Sequence, residues 1–224
     1  MIIYHGSKDI IKVPQFGYGK KYNDYGLGFY CTSDISLAKE WSVDFNRSGY
    51  ANTYELDTEG LKILELDREK YTILHWLAIL LDNREFDIQS DFGLEAKQYI
   101  LEHFGSNYQD YDVIYGYRAD DSYFTFAQDF LNNLISLKTL GNAMHLGNLG
   151  MQYTLKSKKA FAQIKYKGYQ EALAQEWYPL KENRDLLARK QYRELRQQPW
   201  MRGEIYLMTI LDEEMKADDV RLRF

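Results

Sequence analysis

Three short segments hold the side chains best suited to chemistry or ligand binding. They are Tyr4-His5-Gly6-Ser7, Gly26-Leu27-Gly28-Phe29-Tyr30-Cys31-Thr32 and Met151-Gln152-Tyr153-Thr154. Each sets a polar or aromatic residue at the edge of a predicted strand, and tyrosine is well made for stacking on a planar ligand. Every one of these residues also has a structural alternative. His5 can be a strand-end histidine satisfied by backbone, Tyr30 and Trp41 can be core aromatics, and a glutamine at a strand start such as Gln152 needs no special reason. Cys31 lies between Tyr30 and Thr32 on a strand, so its side chain points opposite to theirs. It reads as buried and inert rather than as a nucleophile. His75, His103 and His145 show no ligand spacing, and no metal site is expected.

The elements that must position these residues alternate irregularly. Residues 2–5 and 29–32 read as strands around a glycine- and tyrosine-rich loop at 14–28. Ser33 or Asp34 caps a helix through about Asn46, with Leu37, Ala38 and Trp41 at helical spacing. Strands are expected at 53–56, 62–66, 111–116 and 152–155. Helices are expected at 69–81, 93–104 and 122–138, and at 158–162 with Ser157 as cap; residues 139–150 read as loop. Residues 169–198 read as a charged helix whose Arg184, Arg189, Arg193 and Arg196 form a solvated face, interrupted at Pro199 and followed by a helix over 203–215. This irregular alternation favours α+β over a doubly wound parallel sheet. It also suggests two parts, a main domain over 1–167 and a helical C-terminal appendage over 168–224 packed on it.

Composition bounds the possibilities. The chain has 224 residues with 28 Lys+Arg against 33 Asp+Glu, a formal net charge of −5. It is 45% hydrophobic with three prolines, which excludes a disordered or collagen-like chain. One cysteine excludes an intrachain disulfide framework and a multi-cysteine zinc site, and it fits a reducing, cytoplasmic setting. The opening residues carry no secretory pattern. The longest apolar stretch, Tyr71 to Leu81, is about half of the roughly 20 residues a membrane helix needs and reads as a buried helix. The mild acidity gives no global basic footprint for nucleic acid.

Taken together and in this order, His5-Gly6-Ser7, Gly26 to Thr32 with Trp41 on the following helix, and Gln152 resemble the ADP-ribosyltransferase superfamily of the diphtheria-toxin and poly(ADP-ribose)-polymerase type. Within it the chain is most similar to a bacterial family of uncharacterised relatives, domain of unknown function 3990. The resemblance covers roughly residues 2–165. It implies a split mixed and antiparallel sheet with flanking helices, and NAD as substrate. It also implies roles: His5 on the adenosine ribose, Gly6 on the nicotinamide carboxamide, Tyr30 and Trp41 on the two faces of the nicotinamide ring. Ser7, Gly28 and Thr32 complete the NAD-binding motifs. Gln152 departs from the superfamily's usual glutamate. An amide hydrogen-bonds but cannot take a proton, so where the acceptor needs a base another group must supply it. Asp120 and Asp121 are the candidates; their structural alternative is a helix N-cap.

The resemblance therefore implies a mono-ADP-ribosyltransferase acting on a protein or nucleic-acid acceptor, as a bacterial toxin or defence effector with a neutralising antitoxin partner. Two further readings stand beside it: an NAD glycohydrolase, and a pseudoenzyme or interaction module that only binds nucleotide.

Overall fold

The computed structural model describes all residues but Gln89, Asp120, Leu149, 198–201 and Phe224; of Asp121, Ser122 and Tyr123 it describes the backbone alone. The described residues form an α+β fold around two sheets. The first is antiparallel in the order β1 (Ile2–Ser7), β3 (Gly49–Leu56), β7 (Ile164–Ala172). The second is mixed in the order β2 (Phe29–Cys31), β6 (Met151–Leu155), β5 (Val113–Tyr117), β4 (Ile63–Glu65), with only β4 and β5 parallel.

The sheets meet at one bridge. Tyr4 N–H donates to Thr32 O at 2.8 Å and Thr32 N–H to Tyr4 O at 2.9 Å. Beyond Thr32 the chain leaves for α1 (Ile35–Ser42), capped by the Asp34 carboxylate on Ser36 N–H at 2.7 Å. On the other side of the bridge an apolar cluster of Ile3, Cys31, Tyr54, Leu56, Val113 and Leu155 joins the sheets face to face. The larger core lies between the second sheet and α2 (Ile73–Asn83), α3 (Asp91–Phe104) and α4 (Asp121–Leu131). In α2 every residue from Leu74 to Leu81 is buried, so the longest apolar run of the chain is an internal helix. No helix among the described residues is long and apolar enough to cross a membrane.

The strand expected at 53–56 starts at Gly49 and the helix expected at 69–81 starts at Ile73, and four helices differ in ways that bear on the architecture. α1 stops at Ser42 rather than near Asn46, because Asp44 and Arg47 exchange backbone hydrogen bonds and an ion pair that reverse the chain into β3. The helix expected over 122–138 is two helices, α4 and α5 (Leu137–Ala143). Asn133 takes a left-handed φ of 58° between them, and the Ser136 hydroxyl caps α5 by accepting from Thr139 N–H; asparagine is among the few residues that tolerate this conformation. Part of the expected loop at 139–150 is thus helical. Residues 169–172 complete β7 rather than opening a helix, so residue 167 falls inside that strand, and the charged helix α7 runs from Ala174 to Arg196. The last helix, α8, covers only Leu207–Asp212; Pro199 lies outside the described residues. The short helix α6 (Lys158–Ala162) with its Ser157 cap is as expected.

Arg184 is not on a solvated face. Its Nε and Nη2 grip both oxygens of the buried Glu40 carboxylate of α1 at 2.8 Å, and its Nη1 donates to Gly147 O at 2.7 Å and Asn148 O at 3.0 Å. This two-oxygen clamp locks α7 onto α1. Losing one partner of such a buried pair leaves an uncompensated charge. Arg184→Ala should therefore cost about 3–5 kcal/mol in the unfolding free energy read by urea titration, with Glu40→Gln costing less because the amide keeps an acceptor.

Candidate functional site

Where β1 and β2 part, the fold opens a cleft of about 690 Å³, inside the range of small-molecule sites. Its first wall is β1. His5 Nδ1 lies 2.6 Å from Tyr30 O. A carbonyl only accepts, so Nδ1 carries the proton and the neutral ring keeps Nε2 as an acceptor. Burial holds His5 below the usual histidine range, against the opposing pull of this hydrogen bond. The Phe29 ring packs on it with centroids 4.3 Å apart. Gly6 lines the cleft beside it. Tyr4 turns its N–H and C=O toward β2, so by strand alternation Gly6 turns its own the same way, on the side where β1 and β2 no longer pair. Its lack of a side chain has a packing cause: a Cβ would stand 2.0 Å from Ala38 O of α1.

The second wall comes from β2 and α1. Tyr30 and Trp41 both line the cleft. The Tyr30 hydroxyl donates to Gly26 O at 2.6 Å and accepts from Tyr25 N–H at 3.1 Å. It is thereby fixed to the loop, and its burial raises its pKa. The ring, not the hydroxyl, is what it offers a ligand. Trp41 carries the Arg118 guanidinium over one face, 4.3 Å from the ring centroid, and its buried indole N–H meets no partner among the described residues.

Three motif residues do not reach the cleft. Ser7 accepts from Asn52 Nδ2 at 2.9 Å and donates to Asp9 O at 2.7 Å, fixing the turn after β1. Gly28 lets β2 approach β6, since a Cβ there would stand 2.5 Å from Thr154 Cγ2. Thr32 is buried in the inter-sheet bridge, and its Oγ1 accepts from Asp34 N–H at 3.1 Å. Cys31 is buried as expected, and burial pushes its thiol well above the ordinary range.

The floor holds Gln152 and, beside it, a residue that motif reading missed, Asp24. Gln152, 3% exposed, donates from Nε2 to Asp24 Oδ2 at 3.0 Å and to Tyr117 O at 3.4 Å. Asp24, 6% exposed, also accepts from Ala119 N–H on Oδ2 at 2.9 Å and from Arg84 on Oδ1 at 3.4 Å. Burial raises its pKa despite these donors. In the sequence Asp24 sits in Asn23-Asp24-Tyr25-Gly26, which reads as an ordinary turn. Only the fold shows that it faces Gln152. Of the two acidic candidates expected to help, Asp120 lies outside the described residues and Asp121 opens α4, its side chain outside them too.

The last wall is α7, which contributes Tyr178, Lys181, Arg184 and Arg189. Glu182 and Asp185 of the same helix line the cleft too, so the rim, with Arg84 and Arg118, carries both signs of charge, Arg184 being paired to Glu40 and Arg189 to Asp185. No group of three or more His, Cys, Asp or Glu among the described residues is arranged to hold a metal.

A family model, described as protein of unknown function (DUF3990), matches residues 1–166. The chain belongs to this family. The match spans β1 through α6, with His5, Tyr30, Trp41, Gln152 and Asp24 inside it, whereas α7 lies beyond it. No curated protein and no solved structure matches.

The histidines give a pH signature. A histidine whose folded pKa lies below its unfolded 6.5 binds fewer protons when folded. The stability it contributes is complete above about pH 6.5 and is lost as the pH falls toward the folded pKa. The melting temperature should drop between pH 7.5 and pH 5.5. His5→Asn keeps a donor near the Nδ1 position and should flatten that drop without abolishing it, because His75 is lowered by burial as well.

Proposed function

We propose that this protein is a mono-ADP-ribosyltransferase of the ADP-ribosyltransferase superfamily, with NAD as substrate. The observation that carries the reading is the cleft itself: the parting of two sheets brings His5, Gly6, Tyr30, Trp41 and Gln152, far apart in sequence, onto one cavity. Its 690 Å³ suit a dinucleotide. Tyr30 offers a ring face beside the backbone of Gly6, which suits a planar ring with a carboxamide. Because Arg118 occupies one face of Trp41, Trp41 would meet the ligand with its other face or its unpartnered N–H, rather than sandwiching the ring against Tyr30 while Arg118 stays in place. His5 Nε2 is an acceptor suited to a sugar hydroxyl, and the cations Arg84, Arg118 and Lys181 on the cleft lining suit a pyrophosphate.

In the reaction the bond between the ribose anomeric carbon and the pyridine nitrogen of nicotinamide breaks. Its electron pair goes to that nitrogen, so the pyridinium leaves as neutral nicotinamide. The acceptor's lone pair forms the new bond to the anomeric carbon, and the acceptor releases a proton. Little covalent work falls to the protein, whose part is positioning and electrostatics. In a bacterial cytoplasm such an activity suits a toxin or defence effector held in check by an antitoxin protein.

Incubation with labelled NAD and cell lysate tests this reading. The wild-type protein should release nicotinamide and label a macromolecule. Free ADP-ribose with no labelled macromolecule would instead make it an NAD glycohydrolase, and binding with no turnover a nucleotide-binding pseudoenzyme. Stacking is worth about 1–3 kcal/mol per ring. Tyr30→Ala should therefore weaken NAD binding about 5- to 150-fold in calorimetry, while Tyr30→Phe, which keeps the ring, stays close to wild type. Affinity and labelling untouched by Tyr30→Ala would remove Tyr30 from the site.

A further inference from the structure

We infer that the carboxylate of Asp24, positioned by Gln152, supplies the negative charge that the reaction centre of this cleft requires. The inference rests on the NAD-cleaving reading above and assigns a residue to it. As the pyridinium leaves, positive charge grows on the ribose anomeric carbon, and a fixed anion in a water-poor cleft is the element that stabilises it. The same carboxylate can take the proton that the acceptor releases.

The charge inventory of the cleft selects Asp24 among the described side chains. Glu40 is held through both oxygens by Arg184. Asp185 is paired to Arg189 at 2.8 Å on α7, and Glu182 is exposed on the same helix. Asp24 is buried, lines the cavity, and has an oxygen, Oδ1, whose one hydrogen-bond partner among the described residues is Arg84, in an ion pair at 3.4 Å. Its Oδ2 is anchored by two donors, Ala119 N–H and Gln152 Nε2. The carboxylate is therefore oriented without being used up.

The same geometry explains why residue 152 is an amide. Its two neighbours, Asp24 Oδ2 and Tyr117 O, are both acceptors, so the position demands a donor. A glutamate there would set two carboxylates at hydrogen-bond distance. Gln152 is thus a positioning residue, and the charge sits on the loop before β2 instead of on β6. Burial also keeps Asp24 above the ordinary carboxylate range. Its ionised form therefore opposes folding, as expected of a charge kept for chemistry rather than stability.

The test compares wild type, Asp24→Asn and Asp24→Ala by nicotinamide release, NAD affinity in calorimetry and melting temperature. Asp24→Asn should lower kcat about 10²- to 10³-fold, with the NAD Kd within about threefold and the melting temperature unchanged or raised. A variant that holds its melting temperature and keeps kcat within about tenfold of wild type overturns the assignment of Asp24, while the NAD reading stands. If Asp24→Asn melts early, formate added to Asp24→Ala decides. At least a tenfold recovery of nicotinamide release supports a carboxylate at that place, and a smaller recovery overturns it. A wild-type protein that neither binds NAD nor releases nicotinamide overturns both readings, which separates that failure from the failure of Asp24 alone.

Discussion

The two hydrogen bonds between Tyr4 and Thr32 set the architecture of the whole molecule. They are the only backbone link by which the described sheets join. Among the described residues β1 and β2 pair nowhere else: past Tyr4, β1 continues with β3 as its strand neighbour, and past Thr32 the chain turns away into α1. Two strands that stop pairing leave backbone groups facing a gap, and a gap lined by backbone on one side and aromatic rings on the other is a ligand-sized cleft. The apolar cluster of Ile3, Cys31, Tyr54 and Leu155 stabilises the join from behind. The close approach of Gly6 to Ala38 O brings α1 down as the roof.

The cleft is also where the chain concentrates its costly electrostatics. Burying a carboxylate is unfavourable unless donors compensate it. Glu40 is compensated by a bidentate arginine, which suits a purely mechanical task, that of fastening α7 to α1. Asp24 is compensated by an amide, a backbone N–H and a single guanidinium nitrogen at 3.4 Å. That is enough to hold it and too little to neutralise it as Arg184 neutralises Glu40. Two buried acids on one cavity thus have different roles, set by the donors that each neighbourhood provides.

Much of this was legible in the sequence because the signals were local. His5-Gly6 ends a β-prone run, Asp34 caps α1, Ser157 caps α6, and the apolar run of α2 is internal as expected. What was not legible depended on partners distant in sequence. Leu134 to Leu137 continue the apolar pattern of α4, so the break at Asn133 shows only in its backbone φ. Ser7, Gly28 and Thr32 belong to the motifs by position, but their side-chain contacts and close approaches serve the turn, the sheet and the bridge. Asp24 meets Gln152 across 128 residues, a pairing that no periodicity encodes. Arg184 sits on a charged helix with acidic neighbours, where surface pairing is the ordinary expectation. Its partner instead lies 144 residues away on α1.

That last pairing bears on how the cleft is divided between shared and particular features. The family match ends at residue 166, inside β7, yet β7 goes on pairing with β3, across one shift of register, to Ala172 and delivers the chain into α7. The sheet, the aromatic wall and the Asp24–Gln152 floor lie within the matched part, whereas one wall of the cleft lies beyond it. Tyr178, Lys181 and Arg189 reach the cavity on a helix held by Arg184 on Glu40, by Lys181 on Val43 O and by Tyr192 on Asp129. The groups nearest the proposed reaction centre are thus built on strands and the loop that they fix, which favours precise geometry. The groups at the rim ride on a helix attached through side-chain contacts at several points along its length. A change in α7 that preserves these attachments can alter what meets the rim without disturbing the floor, so under the proposed reading selectivity for an acceptor has room to vary there independently of the chemistry.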